Sequence, residues 1–150
     1  MSVSFRQVDI DKYDVNSPVN VLPEPTQVIS DYPVDALKQA VRPLISSGKS
    51  VEALATVFES PPYGLDDETK NAVAVIVLEV LSAFRVSEIE SAIKQMDKQQ
   101  RTVLTKYLYK LSSMPEGKAN GTVILNWMEK TFQVAGESTI VRHITDRRTV

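Results

Sequence analysis

The sequence predicts an all-α fold of about seven antiparallel helices, packed as a bundle or superhelix and preceded by an extended N-terminal arm. Beyond residue 32, apolar residues recur at helical spacing in segments joined by short connections, and no segment reads as a strand. Residues 1–31 contain no glycine and show no sustained helical stripe. We therefore divide the chain into an arm, residues 1–31, and an α-helical domain, residues 32–150.

The arm is acidic and contains prolines. Five acidic and two basic residues give residues 1–31 a charge of −3, and Pro18, Pro23 and Pro25 favour an extended, stiff chain. Around Val8 and Ile10, apolar and acidic residues alternate, which suits a strand-like segment lying in a partner's groove. A solvated tail and an arm folded back on its own domain remain alternative interpretations.

The first two helices are bounded by proline and glycine. Pro33 suits the first turn of helix one, whereas Pro43 predicts a kink or a break. Gly48 is expected just beyond its end. Ser50 begins a short second helix, and Pro61 and Pro62 follow its end. The apolar stripe of the first helix is Val34, Leu37, Val41, Leu44 and Ile45, and the second helix runs through Val51, Leu54, Ala55 and Phe58.

The third helix is predicted to be central and buried. It begins with the acids Asp66, Asp67 and Glu68, which favour the positive end of a helix dipole. From residue 72 to residue 83 its only charge is Glu79, so apolar residues lie on all its sides. Ser87–Glu90 is predicted to be the capping box of a fourth helix.

Three more helices are predicted from the rest of the chain. Helix five carries Val103, Leu104, Tyr107, Leu108 and Leu111, and Pro115 and Gly117 mark the turn after it. Helix six runs through Ile124, Leu125, Trp127, Met128 and Phe132 to Gly136. In helix seven we expect Ile140, Val141 and Ile144 to face the body of the domain.

Composition excludes several classes of function. The hydrophobic share is 43%, the charged share 24% and the net charge −2, which is typical of a soluble domain and not of a nucleic-acid binder. The absence of cysteine excludes disulfides, thiolate zinc sites and cysteine catalysis. The N-terminus lacks a secretory h-region, and the apolar run at Ala72–Leu78 is too short to span a bilayer. We expect a soluble intracellular protein without membrane insertion.

No motif predicts a cofactor or a metal. Gly48-Lys49-Ser50 lacks the first glycine of a phosphate-binding loop, since Pro43 stands there, and it follows a predicted helix instead of a strand. The acidic run starting at Asp9 fails as a calcium loop, because Asp14 replaces its turn glycine and Asn20 its bidentate glutamate.

The C-terminal segment holds the candidate side chains for other chemistry. His143 is the single histidine, and an enzyme hypothesis rests on it alone; a surface or half-buried structural role is the favoured interpretation. Arg142, Arg147 and Arg148 suit a helix C-terminus or a protein interface. Tyr107 and Tyr109, two residues apart, cannot share one helix face, so one is expected in the core and the other at the surface.

Five stretches stand in the same order as in a known family. They are FRQVDIDKYD (residues 5–14), AVAVIVLEVLSAFRVSEIESAIKQMD (72–97), LTKYLYK (104–110), ILNWMEK (124–130) and AGESTIVRHITDRRTV (135–150). On these stretches the chain closely resembles the actin-related protein 2/3 complex subunit 5 family. The first and the last stretch carry most of the specificity, because the helical middle alone would be a weak match.

The resemblance implies a non-catalytic structural subunit, without a cofactor, of a cytoplasmic complex that nucleates branched actin filaments at cortical actin structures. It implies that the helical body bridges the β-propeller subunit 1 and subunit 4, and that the arm contacts actin-related protein 2. The arm residues expected in that contact are Phe5, Arg6, Val8, Asp9, Asp11, Tyr13 and Asp14. A C-terminal contact through Arg142, Arg147 and Arg148 is our own inference from residue type.

Residues 15–31 depart from the animal members, whose linker is longer, acidic and rich in glycine. Here the linker is short, with prolines and several apolar residues, so it could itself be bound. The alternative hypothesis is a free helical-repeat adaptor for proteins or peptides, for which GKSVEALATVF (residues 48–58) is the sequence hint. A 34-residue repeat period does not follow it.

Overall fold

The computed structural model describes residues 32–150, and the predicted arm, residues 1–31, lies outside them. In the described residues the chain forms eight helices and no strand. The helices are α1 (Val34–Ser46), α2 (Ser50–Glu59), α3 (Asp67–Ser82), α4 (Val86–Gln95), α5 (Lys98–Ser113), α6 (Pro115–Ala119), α7 (Gly121–Ala135) and α8 (Ser138–Thr145). The all-α prediction is confirmed, with one more helix than expected.

Helix α1 ends as the sequence predicts, although Pro43 does not break it. Gly48 adopts φ +75°, and its N–H donates to the carbonyl of Ile45 at 3.0 Å while Lys49 N–H donates to Leu44 at 2.8 Å. A left-handed glycine just past the helix is the usual way to satisfy these carbonyls. The helix continues through Pro43 to Ser46, because a proline this close to the C-terminus removes one hydrogen bond and little follows it.

The core is built around α3 and α5. Val73, Val77, Val80 and Leu81 of α3 are fully buried, which confirms the predicted central helix. Helix α5 contacts α2, α3, α6, α7 and α8, so most of the domain packs on it. Each fully buried aliphatic side chain contributes about 1.5–3 kcal/mol relative to its exposed state.

Trp127 ties α7 to the end of α3. Its indole is fully buried, stands edge-on to Phe84 at 5.1 Å, and donates a hydrogen bond to the carbonyl of Leu81 at 3.1 Å. A buried indole needs such an acceptor, and the last carbonyls of a helix need a donor. One side chain therefore meets both requirements.

The capping of α4 differs from the prediction. The helix begins at Val86, with Arg85 at the cap position, and Glu88 Oε2 accepts the Arg85 N–H at 3.3 Å. Ser87 was wrongly assigned as the cap, since it is the second residue of the helix. A reciprocal capping box does start α5: Asp97 accepts from Gln100 N–H at 2.7 Å, and Gln100 accepts from Asp97 N–H at 3.0 Å.

The additional helix is α6, where the sequence predicted only a turn. Pro115 occupies its first position, which a proline's fixed φ favours. Gly117 packs so closely on the end of α5 that a Cβ there would lie 1.9 Å from the carbonyl oxygen of Leu111. The glycine is therefore required for close packing and not for a turn.

Candidate interaction site

The C-terminal residues form the most elaborate polar assembly of the described chain. Helix α8 packs on α5, and the chain then leaves the helix at Asp146 in an extended conformation. Lysines of α3 and α5 hold the segment that follows. Lys70 Nζ donates to Thr149 Oγ1 at 2.6 Å, and Lys110 Nζ donates to the backbone oxygen of Val150 at 2.7 Å. We call residues 146–150 with Lys70, Lys106 and Lys110 the C-terminal clasp.

Lys106 is the centre of the clasp. Its Nζ lies 2.9 Å from Asp146 Oδ2 and also donates to the carbonyl of Arg148. The residue is only 3% exposed, and burying a lysine charge is costly unless it is paired and hydrogen-bonded. These contacts supply that compensation, so clasp formation and burial of Lys106 depend on each other.

Asp146 and Arg148 complete the assembly. Arg148 Nε and Nη2 donate to the two carboxylate oxygens of Asp146 at 3.0 and 2.9 Å. These bonds, followed by Lys106, hold the pKa of Asp146 well below its usual range, and the same pairing raises the pKa of Arg148. The Arg148 guanidinium also lies 4.8 Å above the ring of Tyr63, and Lys106 Nζ lies 4.9 Å from it. The turn before α3 thus joins the clasp through a cation–π contact.

His143 is a packing residue in this arrangement. Its ring stacks on Tyr109 of α5, with centroids 4.7 Å apart and planes 6° apart. Burial, and secondarily the Lys106 charge, lower its pKa, while Asp146 opposes them. Within residues 32–150 no group of histidine, cysteine and acidic side chains could hold a metal ion. The position fits the half-buried structural histidine that the sequence favours.

The rotation of α8 contradicts the sequence prediction. Val141 is 58% exposed and Ile144 is 74% exposed, whereas Thr139 is fully buried and His143 is half-buried. The expectation that Val141 and Ile144 face the body was wrong; Ile140 alone of the three is partly buried. The clasp and the His143–Tyr109 stack fix the helix by its polar side. We call the outward side, Val141 and Ile144 with the neighbouring Arg142, the terminal surface.

Comparison with known proteins gives the same family along almost the whole sequence. Residues 4–150 match the family described as ARP2/3 complex 16 kDa subunit (p16-Arc). The chain is 36% identical to actin-related protein 2/3 complex subunit 5 of Saccharomyces cerevisiae over the full length of both chains. It is 35% identical to subunit 5-C of Xenopus laevis and 32% identical to the human subunit 5-like protein, covering all of this chain and 97% of each relative.

The chain belongs to the p16-Arc family. It is a non-catalytic structural subunit, and the predicted family is confirmed. Within the described residues no helix is both long and apolar enough to cross a membrane.

The predicted contact residues of this p16-Arc chain fall in different places. Arg142 and Arg148 line a groove of about 520 Å³ together with Tyr63 and Asp146, and Arg147 is exposed outside that lining. Because Arg148 is paired with Asp146, the three arginines do not form one cluster. The predicted arm residues all lie outside the described residues: Phe5, Arg6, Val8, Asp9, Asp11, Tyr13 and Asp14.

Sequence reasoning missed the lysines of the clasp. Lys106 and Lys110 are four residues apart on α5, and therefore on one face of a helix whose central residues, 103–108, are buried. Two cations at that spacing beside core positions are a usable signal for a buried anionic or carbonyl partner. The prediction for Tyr107 and Tyr109 is confirmed, since Tyr107 is fully buried and Tyr109 is 39% exposed.

Proposed function

We propose that this protein is the p16-Arc structural subunit of an actin-related protein 2/3 complex, which nucleates branched actin filaments. The observation that carries the proposal is the family match over residues 4–150, because it includes both the arm motif and the C-terminal segment. The full-length similarity to subunit 5 of S. cerevisiae supports it further. A place in the cytoplasmic actin cytoskeleton, at cortical actin structures, follows from this proposal.

The helical body, residues 32–150, is proposed to bridge the β-propeller subunit 1 and subunit 4. The terminal surface supports a contact with another subunit. Val141 and Ile144 lie one turn apart on the same side of α8, and Arg142 borders them. Burying exposed aliphatic side chains beside an arginine is a common composition for the core of a protein interface.

Arg147 and Arg148 extend the proposed contact beyond α8. Arg147 is exposed, and the Arg148 side chain remains 43% exposed although it is bonded to Asp146. Both residues belong to the clasp and directly follow α8. A partner carboxylate there would be attracted by Arg142 and Arg147, with Arg148 already oriented by its own aspartate.

Residues 1–31 are proposed to be a separate arm that contacts actin-related protein 2. The contact is assigned to Phe5, Arg6, Val8, Asp9, Asp11, Tyr13 and Asp14. Full burial of an aromatic side chain such as Phe5 contributes roughly 1.5–3 kcal/mol before the cost of ordering the arm.

Deleting residues 2–14 tests the arm assignment. We expect the isolated variant to melt at the temperature of the full chain, because the deleted residues lie outside the domain. In co-purification, the variant should keep subunits 1 and 4 but recover less actin-related protein 2. A large fall in the melting temperature of the isolated variant would place the arm in the core instead. Unchanged recovery of actin-related protein 2 would also contradict the assignment.

A further inference from the structure

An open apolar groove lies between α1 and α2, at the point where the described chain begins. It has a volume of about 430 Å³. Tyr32, Ala36, Leu37 and Ala40 line one side, and Thr56 and Glu59 of α2 line the other. Ala36 and Ala40 are exposed and Leu37 is only partly buried, so the groove exposes small apolar side chains to solvent.

Tyr32 fixes the chain at this groove. Its hydroxyl donates to the carbonyl of Ser60, just beyond the end of α2, at 2.5 Å. Its ring packs on the core, and burial raises the pKa of its hydroxyl. The residue preceding a proline is biased to an extended conformation, and Pro33 follows. The described chain therefore begins, at Tyr32, in the lining of the groove.

The sequence directly before Tyr32 has the composition to fill this groove. Residues 26–30, Thr-Gln-Val-Ile-Ser, carry no charge, and Val28 and Ile29 are its apolar pair. Ile29 is three residues from Tyr32, so its Cα lies within about 11 Å of the Tyr32 Cα. A tethered segment at that distance has a high effective concentration at the groove. Glu59 is the one charged residue of the lining, and it disfavours the acidic residues 9–14 as occupants.

We propose that residues 26–30 dock on their own domain, with Val28 and Ile29 in the α1–α2 groove. The free arm then begins near residue 26 and not at residue 32. Residues 15–25 alone are left as the spacer that carries residues 5–14, and eleven residues span at most about 40 Å. The docked segment would thus set the reach of the arm. The docking would occur in the isolated chain, so its test does not depend on whether the protein belongs to the complex.

Methyl-labelled NMR of the isolated full chain tests the proposal directly. We expect nuclear Overhauser contacts from the methyls of Val28 and Ile29 to those of Leu37 and Ala40, independent of protein concentration. The double substitution Val28→Asp/Ile29→Asp should abolish them and lower the melting temperature by roughly 3–6 °C. The matched control Val19→Asp/Val21→Asp, in the same linker but outside residues 26–30, should change neither.

A substitution in the groove itself gives a second, independent test. Ala40→Asp should remove the same contacts, whereas Gln39→Asp, on the same helix but outside the lining, should keep them. Contacts that appear only at high protein concentration would assign the groove to a second copy. Contacts that are absent from the isolated chain, with the groove protected only after assembly, would assign it to a partner subunit. Either result would overturn the proposal.

Discussion

Helices α3 and α8 both carry apolar residues that do not face the body of the domain. Different interactions nevertheless fix the orientation of each helix. In α3 the fully buried residues Val73, Val77 and Val80 determine the orientation. In α8 the side against the body is Thr139 and His143, while Val141 and Ile144 face solvent. Burial orients the central helix, and the clasp orients the terminal one.

The difference shows that a hydrophobic stripe does not by itself identify the inward face of a helix. A hydrophobic stripe identifies the helix face that becomes buried. In an oligomeric protein, the residues that bury it can belong to another subunit. In α8 the segment after residue 145 is held by lysines of the body, while Val141 and Ile144 stay exposed. The terminal surface then remains available for the contact proposed above.

The largest loss of stability should follow truncation in the core around α3. Trp127→Ala removes a fully buried indole together with its hydrogen bond to Leu81, so we expect the free energy of unfolding to fall by about 3–5 kcal/mol. Urea titration of the isolated chain measures this. Trp127→Phe should cost less, because the ring against Phe84 is retained. Equal losses for both variants would mean that the hydrogen bond, and not the packing, dominates.

Breaking the clasp should have a smaller but still clear effect. Lys106→Met removes the buried donor to the carbonyl of Arg148. It also removes one of the two cations that pair with Asp146 and leaves Arg148 as the other. We expect a loss of about 2 kcal/mol, less than for a fully buried pair because Asp146 is partly exposed. Hydrogen exchange of α8 should accelerate. Lys94→Met, which removes an exposed pair with Glu90, is the control and should leave exchange unchanged. Unchanged exchange in Lys106→Met would show that the clasp does not hold α8.

Acidification should weaken the α8 region in two steps. The pKa of His143 is lowered in the folded protein, so the unfolded chain binds the proton more readily and stability falls as the pH drops below about 6.5. The pKa of Asp146 is also lowered, so its contribution is present above about pH 4 and is lost at lower pH. Urea unfolding from pH 7 to pH 3 measures the first step and the beginning of the second. His143→Phe should keep the stacking and remove the first step alone.

Much of this fold follows from the sequence because local and tertiary preferences agree. The observed structure is favoured by the positive φ of Gly48 just past α1, by the helix dipole at the acids that begin α3, and by burial of the apolar residues around Val77. The extra helix α6 was missed because Pro115 and Gly117 favour a turn as strongly as a helical first turn, and the close contact with Leu111 is a tertiary effect.

The candidate site could be predicted only in part. The residue types of its arginines and of His143 are visible in the sequence, but the pairing of Lys106 with residues forty positions further on is not. That pairing decides how α8 is rotated. A hydropathy pattern could not supply it, since the pattern does not say whether the chain itself or a partner covers Val141 and Ile144.

The double substitution Val141→Ser/Ile144→Ser tests the central claim, that α8 is held by its polar side and keeps its apolar side for a partner. We expect the isolated chain to unfold at the same urea midpoint as the unsubstituted chain, because both side chains are already exposed. Co-purification with the other subunits should fall at least tenfold, since burying two such side chains at an interface contributes more than about 1.4 kcal/mol. A large fall in the urea midpoint, with subunit recovery unchanged, would contradict the account.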